Sequence, residues 1–189
     1  MKVIAFVASP RKDGNTDSIT RQVLGIIEQA GIQTDMIRLY DRDIRPCTAC
    51  GFCKAAEICP IEDDLFDLYL QAKAADGIIL ASPVYFGSAT PRLKVFMDRA
   101  GYIAYNNGGA FRRKVGGALT VAGRSGGNYT NTQLLLWFMI LGMIVPGSNG
   151  WNCAIGSEIG EVWDDQEGLD ILREFADNFA WLMSKLARD

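Results

Sequence analysis

Histidine is absent from all 189 residues of the chain. A Ser-His-Asp or Cys-His nucleophilic centre is therefore excluded, and cysteine is left as the principal soft ligand that a metal could find. Positive charge is scarce as well: 19 Lys and Arg against 22 Asp and Glu give a net charge of -3. The basic residues are scattered, which argues against a nucleic-acid partner. No apolar run approaches the roughly 20 residues that span a bilayer. The longest, residues 134–145, reads as a buried helix. The amino-terminal apolar run ends in Ser9-Pro10-Arg11 rather than in a small-residue cleavage site, so it reads as a strand and not as a signal peptide. A cytoplasmic protein without membrane association is expected. A reducing compartment in turn disfavours a disulfide framework.

What the chain has in quantity is alternation. At 49% hydrophobic and 22% charged it can bury one sizeable core, and a single domain over 1–189 is expected. Short apolar runs at 3–8, 34–39, 77–82 and 114–123 alternate with stretches of helical period, the pattern of parallel strands joined by crossover helices. Ile19, Val23, Ile26, Ile27 and Ala30 mark one helix that closes at Gly31. Leu65, Leu68, Ala72 and Ala75 mark a second, capped by Asp63 or Asp64. Leu93, Phe96, Met97 and Ala100 follow Pro91 in a third, and 130–143 forms an apolar fourth. Leu169, Leu172, Phe175, Ala176, Phe179, Leu182, Met183 and Leu186 share one face of the last. The fifth strand is placed within 144–155. Right-handed connections then select an α/β fold, a doubly wound five-stranded parallel sheet of flavodoxin-like order 2-1-3-4-5 in three layers, α/β/α. Ligands of such a sheet sit beyond the carboxyl ends of the strands, where strands 1 and 3 diverge.

Three loops meet at that edge. Residues 9–18 join strand 1 to a helix amino end, where Ser9, Asn15, Thr16, Ser18 and Arg11 suit one terminal phosphate; the plain alternative is a polar turn with a helix cap. The loop lacks the G-x-G-x-x-G fingerprint and the P-loop pattern, so neither a Rossmann nicotinamide site nor a nucleotidase is supported. Residues 82–91 follow the central strand, and Val84, Tyr85 and Phe86 offer a surface for a flat heteroaromatic ring, or else pack over the next helix. Residues 122–132 carry three glycines and Arg124.

The segments "ASPRKDGNT", "SPVYFGSATPRLKVFMDR" and "AGRSGG", in this order, resemble the NAD(P)H-dependent FMN reductase branch of the flavodoxin-like flavoproteins over nearly the whole chain. The resemblance implies FMN, with its phosphate on Ser9, Arg11, Asn15, Thr16 and Ser18. It places the isoalloxazine between Pro83, Val84, Tyr85, Phe86, Gly87 and Ser88 on one side and Gly123, Arg124, Gly126 and Gly127 on the other. Lys94, Asp98 and Arg99 also match that branch; for Lys94 a surface ion pair is the preferred reading.

Four of the five cysteines crowd into 47–59 with the spacing C-x2-C-x2-C-x5-C. The spacing alone leaves open a metal or cluster site, redox thiols, or small packing residues. Zinc knuckles are usually two separated C-x2-C pairs, whereas a continuous C-x2-C-x2-C run and a Cys-Pro fourth ligand are habits of iron-sulfur proteins. The motif and its place after strand 2 resemble those of the iron-sulfur flavoproteins, a subgroup of the same FMN family. That resemblance implies a 4Fe-4S cluster on Cys47, Cys50, Cys53 and Cys59, with Cys153 as a buried residue or a competing fourth ligand. The expected activity is electron relay by FMN and the cluster from a low-potential donor such as ferredoxin to a small acceptor: oxygen, peroxide, a quinone or free flavin. The alternative is a plain NAD(P)H-dependent FMN or quinone reductase with incidental cysteines. The apolar helix near 130–144 predicts a homodimer or homotetramer, in which residues 102–113 form a loop toward a neighbouring subunit.

Overall fold

The computed structural model describes residues 1–187. Its elements are β1 (Lys2–Val7), α1 (Asn15–Gln29), β2 (Gln33–Arg38), α2 (Leu65–Ala74), β3 (Gly77–Pro83), α3 (Pro91–Asn106), β4 (Val115–Ala122), α4 (Gly127–Ile140), β5 (Cys153–Ile155) and α5 (Gln166–Leu186). The strands lie in the order β2-β1-β3-β4-β5, and every neighbouring pair is parallel. This is the flavodoxin-like order expected from the sequence.

The burial pattern explains why the central strands read as unbroken apolar runs. β4 is buried along its whole length and β3 as far as Ser82, because helices cover both faces. Side chains alternate across the sheet. Ile4, Phe6, Ile78 and Leu80 therefore join α2, α3 and α4 in one core, while Val3, Ala5, Val7, Ile79 and Ala81 join α1 and α5 in the other. Each buried large apolar side chain contributes about 1.5–3 kcal/mol. Edge strand β2 instead alternates between exposed and covered residues.

β4 opens with a bare stretch of backbone. A β-carbon on Gly116 would come within 2.7 Å of Phe138 on one side of the sheet, and one on Gly117 within 2.6 Å of Phe175 on the other. Rings from both helical layers thus rest directly on the strand.

Some expectations need correction. α4 starts at Gly127 and ends at Ile140, three residues earlier than the apolar run suggests, because the left-handed Gly126 (φ 88) turns the chain straight into the helix. Leu186 is exposed at the end of α5. Residues 102–113 do not form a free loop. Tyr102 to Asn106 complete α3, and Phe111 is fully buried against Tyr69 and Trp137. Asp63 Oδ1 accepts the Leu65 amide hydrogen at 3.1 Å, so Asp63 rather than Asp64 caps α2 by side chain. Among the described residues no helix is long and apolar enough to cross a membrane.

Candidate cofactor cleft and cysteine site

A cleft of about 220 Å³ opens at the carboxyl rim of the sheet. Its polar end is built by Ser9, Pro10, Arg11, Asn15 and Thr16, which lead into α1. No side chain caps that helix, so its first amides face the cleft rim without a side-chain partner, the usual setting for an anion. Ser9 Oγ accepts the Arg11 amide hydrogen at 3.2 Å, which folds the turn tightly. The turn is fastened from behind by Arg38, at the end of β2. Its guanidinium donates to the Ser9 carbonyl at 3.2 Å and pairs with the fully buried Asp17.

The opposite wall is Pro83, Val84 and Tyr85 at the end of β3 and its loop, with Val121 of β4 and Gly123 just beyond it. Tyr85 and Ser88 exchange backbone hydrogen bonds of 2.8 and 3.0 Å across a turn whose two central residues, Phe86 (φ 51) and Gly87 (φ 75), are left-handed. A phenylalanine there is strained and fully exposed. Phe86, Gly87 and Ser88 accordingly project beyond the cleft and do not line it. Gly126 supports the turn: a β-carbon on it would come within 3.1 Å of Gly87 Cα and of Val84. Arg124 is exposed outside the lining, and Gly127 lies beneath, against Cys153. The Ser18 hydroxyl donates to the Gly14 carbonyl at 3.1 Å. The segment Gly123 to Gly127 also has G-x-S-x-G spacing between a strand and a helix, yet in a chain without histidine Ser125 has no imidazole base to activate it.

One wall was missed from sequence. Gly156 and Ser157, just after β5, complete the cleft. Arg11 donates to the Ser157 carbonyl at 2.7 Å. Asn15 donates to the Glu158 carbonyl at 2.7 Å and accepts from the Gly160 amide at 2.8 Å. Asn15 therefore locks the β5 loop onto α1. Topology offered the signal: a parallel β5 must leave the sheet at this same rim.

The second site lies beside α3. Cys47, Cys50, Cys53 and Cys59 all line one small cavity, closed by Ile61, Tyr102, Ile103 and the guanidinium-bearing Arg99. Two anchors hold the cysteine segment. Glu57 accepts from Tyr69 and from Lys73 at 2.6 Å, and Asn107 donates to the Cys53 carbonyl at 2.8 Å. Lys73, then the Tyr69 hydrogen bond, holds the Glu57 carboxyl below its usual range. Burial chiefly, with added repulsion from Cys59, Cys47 and Cys50, raises the Cys53 thiol above its ordinary range. Among the described residues, no three Cys, Asp or Glu side chains converge on a point that would seat a single metal ion. The four sulfurs surround a cavity instead, and all five cysteines are free thiols. In a cubane cluster each thiolate binds a separate iron, so such a donor set fits a cluster better than a lone ion.

The two sites share no lining residue. The cysteine segment leaves β2 at the rim but folds back along α3 to Arg99, eight residues or ~12 Å of helix from Pro91. Lys94 makes the expected exposed i,i+4 pair with Asp98. Arg99 does not behave as a surface residue and is almost completely buried.

Comparison with known proteins places these features in a lineage. The family model "NADPH-dependent FMN reductase" matches residues 1–158. An iron-sulfur flavoprotein of Methanocaldococcus jannaschii is 40% identical over 187 residues, covering 95% of this chain and 96% of that relative. Another, from Methanosarcina thermophila, is 38% identical over 168 residues, covering 85% and 87%. Among solved structures, RosB with bound 8-demethyl-8-formylriboflavin-5'-phosphate superposes with a TM-score of 0.83 at 20% identity, over 100% of this chain and 81% of that one. A flavodoxin from the domain Archaea gives 0.65 at 17% identity, over 97% and 99%. At these identities the structural matches speak to the fold alone.

Proposed function

The chain belongs to the NADPH-dependent FMN reductase family, and from that premise we propose that this FMN flavoprotein oxidoreductase relays electrons between FMN in the rim cleft and a 4Fe-4S cluster on Cys47, Cys50, Cys53 and Cys59. Bound FMN exchanges electrons in pairs or singly, and a cluster passes one at a time. The observation that carries the reading is the convergence of those four cysteines on one cavity in a chain with a separate rim cleft. The relatives named iron-sulfur flavoproteins support it. In the cleft, the α1 amino end, Ser9, Thr16 and Arg11 hold the phosphate. Pro83, Val84 and Tyr85 offer the ring a flat wall. The chain's own part is to bind, orient and insulate, since no acid or nucleophile is required of it.

A low-potential carrier such as ferredoxin is the proposed donor, and a small acceptor such as oxygen, peroxide or a quinone takes the electrons. Self-association into a dimer or tetramer belongs to the same proposal: Leu136, Met139 and Ile140 of α4 are exposed, more apolar surface than a helix left in water usually shows. The deciding measurement is an anaerobic ultraviolet-visible spectrum with iron and sulfide analysis after reconstitution. Flavin bands together with about four irons per chain are expected; flavin without iron or sulfide overturns the relay. One feature favours a second reading in that event. Tyr85 and the fully exposed Phe86 leave the cleft open on one side, which suits transient docking of NAD(P)H over the flavin, and NADPH oxidation with free FMN would then be observed.

A further inference from the structure

The four cysteines are not equivalent. Among the described residues, only Cys59 receives a hydrogen bond from a charged side chain: Arg99 Nη2 donates to its sulfur at 3.1 Å. Cys47 receives the weaker donation of the Ala49 amide at 3.4 Å, and neither Cys50 nor Cys53 has a side-chain donor. Arg99 is held from both sides. Its two terminal nitrogens make parallel hydrogen bonds to the carboxylate of Asp63, whose side chain is entirely buried, and Nη1 donates to the Arg45 carbonyl at 2.9 Å. Asp63 is fixed in turn by the amides of Arg45 at 2.8 Å and Leu65 at 3.1 Å. One guanidinium donor is left over, because Nε is buried without a partner on a side chain that lines the cysteine cavity.

We propose that Arg99 is a positioning residue of the cysteine site, which fixes the Cys59 sulfur and sets the reduction potential of the group bound there. The proposal rests on the cluster reading given above and goes beyond its ligand set. Burying a lone guanidinium is prohibitive, and Asp63 neutralises it. The pair therefore adds no net charge to the site; what remains is a directed N–H dipole toward one sulfur. A donor to a ligating sulfur withdraws electron density from it and favours the more negative, reduced state, so the potential lies higher than it would without the contact. The planar fork can serve Asp63 and Cys59 together. A lysine ammonium has no such geometry, so Arg99→Lys separates charge from direction.

The test is a potentiometric titration, followed by electron paramagnetic resonance, of reconstituted wild type, Arg99→Lys and the charge-free double variant Arg99→Gln with Asp63→Asn. Full iron loading with a midpoint potential shifted to more negative values in both variants is expected. Unchanged potentials in loaded variants overturn the proposal. Because either variant can fold poorly, a second measurement uses wild type alone: protein labelled with 15N in the arginine guanidinium, reduced, and examined for nitrogen hyperfine coupling. A 15N coupling is expected that is replaced by a 14N pattern in unlabelled protein, and its absence overturns the proposal whatever the variants do. Wild type that takes up FMN but no iron overturns the cluster reading itself, and this inference with it; that outcome is distinct from loaded protein without the coupling.

Discussion

Gly127 and Cys153 occupy adjoining space, so that a β-carbon on residue 127 would overlap the Cys153 sulfur and lie 3.2 Å from its Cβ. The first turn of α4 therefore sits on β5 as closely as it does because residue 127 has no side chain. Gly127→Ala is expected to cost about 1–3 kcal/mol by overpacking. Adding Cys153→Ala should return most of it. Urea unfolding of both single variants and the double measures the coupling; additive costs would show that the two positions do not meet.

Arg99 and Lys94 lie five residues apart on α3, on different faces of the helix, and should respond differently to removal. Arg99→Ala leaves the buried Asp63 carboxylate with two backbone amides and only the exposed Arg45 guanidinium, 3.9 Å away, as a counter-charge, for a loss of about 3–5 kcal/mol. Lys94→Ala breaks only an exposed i,i+4 pair, worth about 0.3–0.5 kcal/mol. Paired denaturation curves read the contrast.

Asp63 also predicts a pH dependence. Burial pushes its carboxyl up, but the Arg99 hydrogen bond and the Arg45 and Leu65 amides outweigh burial and hold it below the ordinary range. An unfolded aspartate titrates near ~3.9. The unfolded chain thus takes up this proton first. The stability due to the carboxylate is complete above about pH 4 and is lost as pH falls through the lower folded value. Asp63→Asn should flatten the acid limb of stability against pH, measured by urea midpoints between pH 3 and 6.

At the rim cleft, loss of Arg11 should separate FMN from riboflavin. A charge-assisted hydrogen bond to phosphate is worth about 1.5–3 kcal/mol. Arg11→Ala is expected to weaken FMN binding at least about tenfold and to leave riboflavin unchanged in fluorescence titrations of the apoprotein.

The fifth cysteine provides a control. Cys153 packs beneath α4 and lies outside the cysteine cavity, its thiol raised mainly by burial. Cys153→Ser should leave the iron content of anaerobically reconstituted protein unchanged, whereas Ser at Cys47, Cys50, Cys53 or Cys59 should lower it.

Strand order was legible because buried parallel strands are continuous apolar runs, as in 77–82, and because crossover handedness leaves few arrangements. β5 was only bracketed. It has three residues, and Ile144 before it bridges instead to Val115, so no run of alternating side chains marks the strand. In the cleft, the phosphate turn and β3 loop could be proposed from their residue types, whereas Gly156 and Ser157 read as ordinary loop and enter only through β5's direction. The Arg99–Asp63–Cys59 contact was beyond reach for another reason. Its partners lie 36 and 40 residues from Arg99, and no local pattern tells an arginine turned toward solvent from one folded inward onto a distant carboxylate.

The bare backbone of Gly116 and Gly117 ties the two cores to a single stretch of strand. Phe138, from the core shared with α2 and α3, rests on one face of β4 at Gly116, and Phe175, from the core shared with α1, rests on the other at Gly117. A methyl group added to Gly116 would push on the first core and one added to Gly117 on the second, so substitutions at adjacent residues of one strand would perturb opposite sides of the molecule.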